Sequence, residues 1–307
     1  MVNRVLLRVK VLQILYSFFI KQSSDLAVAE KELQFGAKKS YDLYHSLLLL
    51  IVEVKRYSES RIELIKSRES ITGGNYTPNM RFVNNKFIEY LENSEEFNSY
   101  ISNSSLSWAD HTDVVKKIYD SMVESDYFNN YMNSDENSVT DDKSLIRKII
   151  RTELTNNEDL YTTLEDISIY WIDDVDIILS FVEKSVKNFD KPEGEGDVLL
   201  PMYKDESDYT FANNLLNNTI VKSAEFDELL RPYMVNWELE RMAVMDILIL
   251  KMALTEILDF DTIPANVTLN VYIDLAKAYN SPKSGKFVNG VLDKIVKDLR
   301  KENKILK

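Results

Sequence analysis

The sequence predicts an all-α protein, and three observations carry that prediction. Turn-formers are scarce, with seven Gly and six Pro among 307 residues, whereas a β-rich chain needs frequent Gly-, Pro- or Asn-bearing turns. No run sustains the apolar–polar alternation of a half-buried strand. Apolar residues instead recur three and four apart, which is the spacing of one helix face. With 45% hydrophobic and 28% charged residues, the chain has an ordinary globular composition and is long enough to bury a sizeable core.

Residues 3–20 read as an amphipathic helix. Val5, Val9, Leu12 and Tyr16 fall at helical spacing, and Leu6, Leu15 and Phe19 widen the stripe. Arg4, Arg8 and Gln13 interleave on a more polar side. A second helix is expected to start near Asp25, a good N-cap residue. Its pattern, "LAVAEKELQFGAKKSYDLYHSLLLLIVEVKRYSESRIELI", is too long for one ordinary helix, so a break is expected near Gly36 or Ser40. The stretch "SITGGNYTPN", Ser70–Asn79, is the clearest break in the chain. Helical patterns follow in "DVVKKIYDSMVESDYFNNYM" and "DISIYWIDDVDIILSFVEKSV", in a region rich in Tyr and Asn. A second break, Asn188–Asp205, carries two Pro and two Gly.

Beyond it, "ESDYTFANNLLNNTIVKSAEFDELLRPYM" resumes a helix and "NWELERMAVMDILILKMALTEILDF" is a strongly apolar one. "IPANVTLNVYIDLAKAYN" is the next, with Pro264 in the turn and Asn266 as the expected N-cap. No fixed-period repeat is evident. The segmentation is therefore 1–59, an acidic helical stretch 60–208, and 209–307. Charge supports it: residues 58–208 hold 32 acidic and 15 basic residues, a net of −17 inside a chain of net −13. The two ends together are basic, and the middle is expected to face away from them or to limit non-specific binding to nucleic acid.

Several function classes are excluded. Cysteine is absent, which removes disulfides, thiolate metal sites and thiol nucleophiles. His45 and His111 are the two histidines, too few for a His-rich metal site. No phosphate-binding Gly-rich loop, nucleophile elbow or zinc-protease motif occurs. Asp173, Asp174 and Asp176 read as a solvated acidic face, because adjacent residues diverge on a helix. No enzyme, cofactor or metal is expected. Arg4, Arg8 and Lys10 interrupt the N-terminal apolar run, unlike a signal peptide, and no long uncharged run follows. A cytoplasmic protein without a membrane partner is expected.

The C-terminal stretch "SPKSGKFVNGVLDKIVKDLRKENKILK" is the most informative. From Lys283 to Lys307 it holds eight basic and three acidic residues. Phe287, Val291 and Ile295, flanked by Val288, Leu292 and Leu299, make one apolar face; Lys286, Asn289, Asp293 and Lys297 populate the other. Gly290 costs about 1 kcal/mol inside a helix, which is tolerable where another backbone or a ligand approaches closely. Composition alone leaves two readings, a docking helix solvated by its lysines or a surface whose lysines contact phosphates.

These segments resemble, in order along the chain, the NusB family of transcription antitermination factors. "SGKFVNGVLDKI" is similar to the family's closing signature. "NWELERMAVMDILILKMALTEIL", "IP" and "NVTLNVYIDLAKAYN" resemble its central helices, and "RVKVLQILYSF" its first helix. "NNLLNNTIVKSAEFDELLRPYM" resembles the helix before the tryptophan. The likeness covers roughly 1–56 and 209–307. It implies an all-helical fold of two small bundles, no catalysis, and binding of boxA-type single-stranded RNA from ribosomal operons. The implied partners are the ribosomal protein NusE and the RNA polymerase antitermination complex.

The RNA-facing candidates carried over are Arg4, Arg8 and Gln13, with Lys286, Phe287 and Asn289 from the final motif and Lys283 just before it. Arg and Lys neutralise phosphate, an amide reads a base edge, and an aromatic ring stacks on an unpaired base. Tyr16, Glu240 and Asp246 match positions facing the protein partner. The chain departs from the pattern where Val5, Leu6 and Leu7 replace a dense arginine cluster, and where Val271 replaces an acid. Two rival readings are a helical protein-interaction scaffold using the acidic middle, and a non-catalytic relative of the RNA-binding domain of ribosomal-RNA methyltransferases.

Overall fold

The computed structural model describes residues 3–72, 77–135, 137–192, 196–234 and 243–305, which form fourteen α-helices and no strand. In chain order they begin with α1 (Arg4–Ile20) and α2 (Leu26–Thr72). Seven shorter helices follow: α3 (Lys86–Asn93), α4 (Glu95–Ser104), α5 (Thr112–Glu124), α6 (Asp126–Asn133), α7 (Val139–Ile149), α8 (Glu158–Ile167) and α9 (Val175–Asn188). The last five are α10 (Glu206–Val221), α11 (Ser223–Leu230), α12 (Val244–Asp259), α13 (Ala265–Tyr279) and α14 (Pro282–Lys301). Among the described residues no helix is long and apolar enough to cross a membrane.

The chain divides into two compact units, one of residues 38–202 and one of residues 2–37 with 203–307. In the second, α1 packs on α10 and α12, α12 on α13, and α13 on α14. Asn3 starts α1 by accepting from the Leu6 N–H at 2.9 Å. The buried face of α1 differs from the expected stripe. Leu6, Leu7, Val11, Leu12, Ile14, Leu15 and Phe18 are buried, whereas Val5 and Tyr16 are exposed. Neighbours on more than one side cover this helix, so even Arg8 and Lys10 are buried.

The expected break near Gly36 or Ser40 does not occur; α2 is one helix of 47 residues. Asp25 does cap it, accepting from the N–H groups of Ala27 and Val28. A single glycine costs only about 1 kcal/mol in a helix, less than the burial of Leu33, Ala37, Tyr44, Leu47 and Leu48 along α2 contributes. Asn266 is likewise not an N-cap. Pro264 holds that position with no side-chain cap, and Asn266 lies within the first turn of α13.

The unit 38–202 shows why its sequence is rich in Asn, Ser and Tyr. Its short helices begin at Asn85, Ser94, Ser125, Ser138 and Asn157, each accepting from a first-turn N–H. Its tyrosines donate to carboxylates where basic partners are few: Tyr100 to Asp42 (2.8 Å), Tyr127 to Glu153 (2.8 Å), Tyr131 to Asp142 (2.6 Å) and Tyr161 to Asp176 (2.6 Å).

His45 sits in the core of this unit, packed against Tyr41, Tyr44, Phe97 and Tyr100, with Nδ1 3.0 Å from the Tyr41 carbonyl. Burial pushes its pKa down to about 4, against the opposing pull of that carbonyl. An unfolded chain takes up the proton near the ordinary value of 6.5. The stabilisation from neutral His45 is therefore complete above pH 6.5 and lost as pH falls toward 4, in total about 3 kcal/mol. Chemical unfolding of the wild type and of His45→Phe across this window should show a stability difference that changes with pH. A constant difference would place the histidine in contact with water.

Candidate nucleic-acid interface

Helix α14 begins with a cap and a proline. Ser281 Oγ accepts from the Ser284 N–H at 3.3 Å, and Pro282 follows, where a missing N–H is harmless. Gly285 lets α14 lie close on α13, since an added Cβ would stand 2.6 Å from Lys277 Cγ and 3.3 Å from the Ile273 carbonyl. Val288, Val291, Leu292, Ile295, Val296 and Leu299 are buried. This fixes the opposite face outward and agrees with the sequence reading of the helix.

On that face stand Lys283, Lys286, Asn289, Gly290 and Lys294, all exposed. At 100° per residue, Lys283, Lys286, Gly290, Lys294, Lys297 and Lys301 fall within an arc of roughly 80°, over a length of about 27 Å. Two of these lysines are held by acids, Lys297 by Asp293 at 2.6 Å and Lys301 by Asp298 at 3.1 Å. Among the described residues no ion pair engages Lys283, Lys286 or Lys294. Lys294 was not singled out from the sequence; its place on the lysine arc was the signal for it.

Among the described residues nothing lies within 4 Å of a Cβ built at Gly290, so no neighbouring backbone of this chain accounts for the glycine, and close approach of a ligand is the alternative left of the two. The space beside the lysines is open. Phe287 is half-buried at the edge of the apolar face.

The α1 candidates are more enclosed. Arg4 is part-exposed, pairs with Asp208 at 3.3 Å and lies 5.0 Å from the centre of the Phe211 ring. Gln13 donates to the Tyr279 hydroxyl at 3.2 Å and accepts from Lys10 Nζ at 3.3 Å. Arg8 is 3% exposed. Its Nε and Nη2 donate to the two oxygens of Glu256 at 2.7 and 2.8 Å, and Nη1 donates to the Arg4 carbonyl. Thr268 and Tyr272 hydroxyls donate to the same carboxylate.

Burial alone would lower the Arg8 pKa, but the bonded Glu256 outweighs it and holds the guanidinium above its ordinary value. A guanidinium committed in this way has no free edge for a phosphate. It ties α1 to α12 and, through the hydroxyls, to α13.

Of the partner-facing candidates, Tyr16 is exposed and available. Asp246 is 6% exposed. Its Oδ2 accepts from Asn280 Nδ2 at 3.0 Å, linking the start of α12 to the end of α13, and its buried Oδ1 has no hydrogen bond among the described residues. A side chain so enclosed does not present its charge to a docking protein. Glu240 and the "NWELER" motif lie outside the described residues.

Comparison with known proteins gives consistent matches. The model of the NusB family matches residues 172–297, which take in α9 to α13 and α14 as far as Lys297. A protein of Salinibacter ruber named transcription antitermination protein NusB is 39% identical over 110 residues, 36% of this chain and 69% of that protein. Proteins of the same name from Bacillus licheniformis (42% over 94 residues, 31% of this chain and 72% of that one) and Bacillus velezensis (43% over 89, 29% and 68%) are similar in the same way. No solved structure gives a significant match.

Proposed function

The chain belongs to the NusB family, and on that premise we propose that it acts in transcription antitermination. In this reading it binds boxA-type single-stranded RNA together with the ribosomal protein NusE, within the RNA polymerase antitermination complex, and catalyses no reaction. The unit of residues 2–37 and 203–307 does the recognising, and the acidic segment is an addition to it.

One observation carries the RNA-binding reading: a chain of net charge −13 displays three aligned lysines on α14 with no ion pair among the described residues. Charges that serve only solubility are commonly laced with opposite charges, as Lys297 and Lys301 are. Lysines left open along one face suit a polyanion whose counterions are released on binding. Asn289 beside them offers an amide to a base edge, and the open space at Gly290 admits the RNA backbone near the helix. Arg4, part-exposed on α1, is a further phosphate contact in this reading, and Arg8 holds α1 in place through Glu256. Tyr16 is the residue assigned to NusE contact.

The test is binding of the full chain to a boxA-type RNA and to a scrambled RNA of equal length, each with and without NusE. Selective binding of boxA that tightens when NusE is present is the expected result. Equal binding of both RNAs in both conditions would remove the antitermination reading.

A further inference from the structure

Between Arg151 and Lys184 the chain runs for 32 residues with nine Asp or Glu and no Lys or Arg. Within this stretch, the end of α8 and its connection to α9 turn isoleucines outward. Ile169 is 74% exposed, Ile172 47% and Ile167 37%. Trp171 points the other way and is 2% exposed, its indole N–H donating to the Lys39 carbonyl at 2.7 Å. The Trp171 N–H donates to the Ser168 carbonyl at 3.0 Å, and the Asp174 N–H to that of Trp171 at 2.9 Å. The turn is thus fixed from within by its tryptophan while its isoleucines stand in water. Glu165, Asp166 and Asp173, all exposed, border it.

Clustered exposed apolar side chains with a charged rim are the usual make-up of an interaction surface. A preset shape removes much of the ordering cost of binding. Charge selects the occupant. RNA and an anionic lipid surface are both repelled by this rim. A second copy of the chain would set the same acids against each other. A protein segment with apolar side chains flanked by Lys or Arg satisfies both features.

We propose that Ile167, Ile169 and Ile172 are a docking point for a basic protein segment, whose cations meet Glu165, Asp166 and Asp173. The acidic segment of the chain then has a binding role of its own, and this holds whether or not α14 binds RNA.

The test uses the full chain and a synthetic amphipathic helical peptide with one leucine face and one lysine face, followed by fluorescence anisotropy. The double substitution Ile169→Ser, Ile172→Ser should weaken peptide binding more than about tenfold with an unchanged unfolding midpoint. Asp166→Lys with Asp173→Lys, which leaves the isoleucines in place, should weaken it similarly and flatten its salt dependence. The same peptide with glutamates in place of lysines should not bind. Peptide affinity unaltered by both double variants would overturn the proposal. So would a loss, on removing the isoleucines, of binding to single-stranded RNA, of binding to phosphatidylserine vesicles, or of self-association in sedimentation, because each assigns the surface to another occupant.

Discussion

Replacing Glu256 with alanine should leave the unit of residues 2–37 and 203–307 about 3–5 kcal/mol less stable, or unfolded. The carboxylate accepts from Arg8, Thr268 and Tyr272 and is itself fully buried. Its removal strands a guanidinium that is 3% exposed, together with two hydroxyls, and an unpaired buried charge costs far more than a lost surface pair. Arg8→Ala should cost a similar amount by stranding the carboxylate. The double variant Arg8→Met, Glu256→Leu should regain most of the loss, because apolar side chains of similar volume need no partner. Denaturant unfolding of the three variants checks this. A cost below about 1 kcal/mol for Arg8→Ala would mean that the side chain reaches water, and would restore it as a contact for RNA.

The second large effect concerns binding rather than stability. Reversing Lys283, Lys286 and Lys294 to glutamate should weaken the boxA-type RNA complex on the order of 100-fold at low salt, taking about 1 kcal/mol for each exposed contact. The unfolding transition should not move, since all three side chains are exposed and outside any ion pair among the described residues. Reversing Lys297 and Lys301 should matter less, because Asp293 and Asp298 already neutralise them in part. Equal loss from both sets would indicate a diffuse charge effect with no defined surface.

Much of this fold was legible in the sequence because helical periodicity is a local property. The final helix is the clearest case: of its apolar positions read from spacing, all but the half-buried Phe287 are buried, so its lysine face followed directly. Helix α1 was harder. Helices pack against it on more than one side, so its buried residues do not form one stripe: Leu6, Leu12 and Leu15 of the expected stripe are buried, while Val5 and Tyr16 are exposed. Gly36 misled in a different way: local propensity argued for a break, while burial of residues on either side keeps α2 continuous.

The candidate site was legible where exposure follows from the helix face, and illegible where it depends on distant partners. Arg8 resembled a phosphate ligand until Glu256, 248 positions away, was found to hold it. Asp246 resembled a docking residue, and burial of its carboxylate, with Asn280 donating to one oxygen, is set by residues 34 positions away. No spacing rule reveals such pairs. They form because folding brings charges into an apolar interior, where only a matched partner makes burial tolerable.

The most direct measurement of the central claim, that the outward face of α14 meets RNA phosphates, is the slope of log affinity against log salt for boxA-type RNA. Wild-type protein and the Lys283→Glu, Lys286→Glu, Lys294→Glu variant should be compared over the same salt range. Each single-strand phosphate contact contributes a slope of about 0.7, so losing three contacts should make the variant shallower by about 2. Parallel slopes with unchanged affinity would contradict the account, because they would mean that RNA, if bound, is bound elsewhere on the chain.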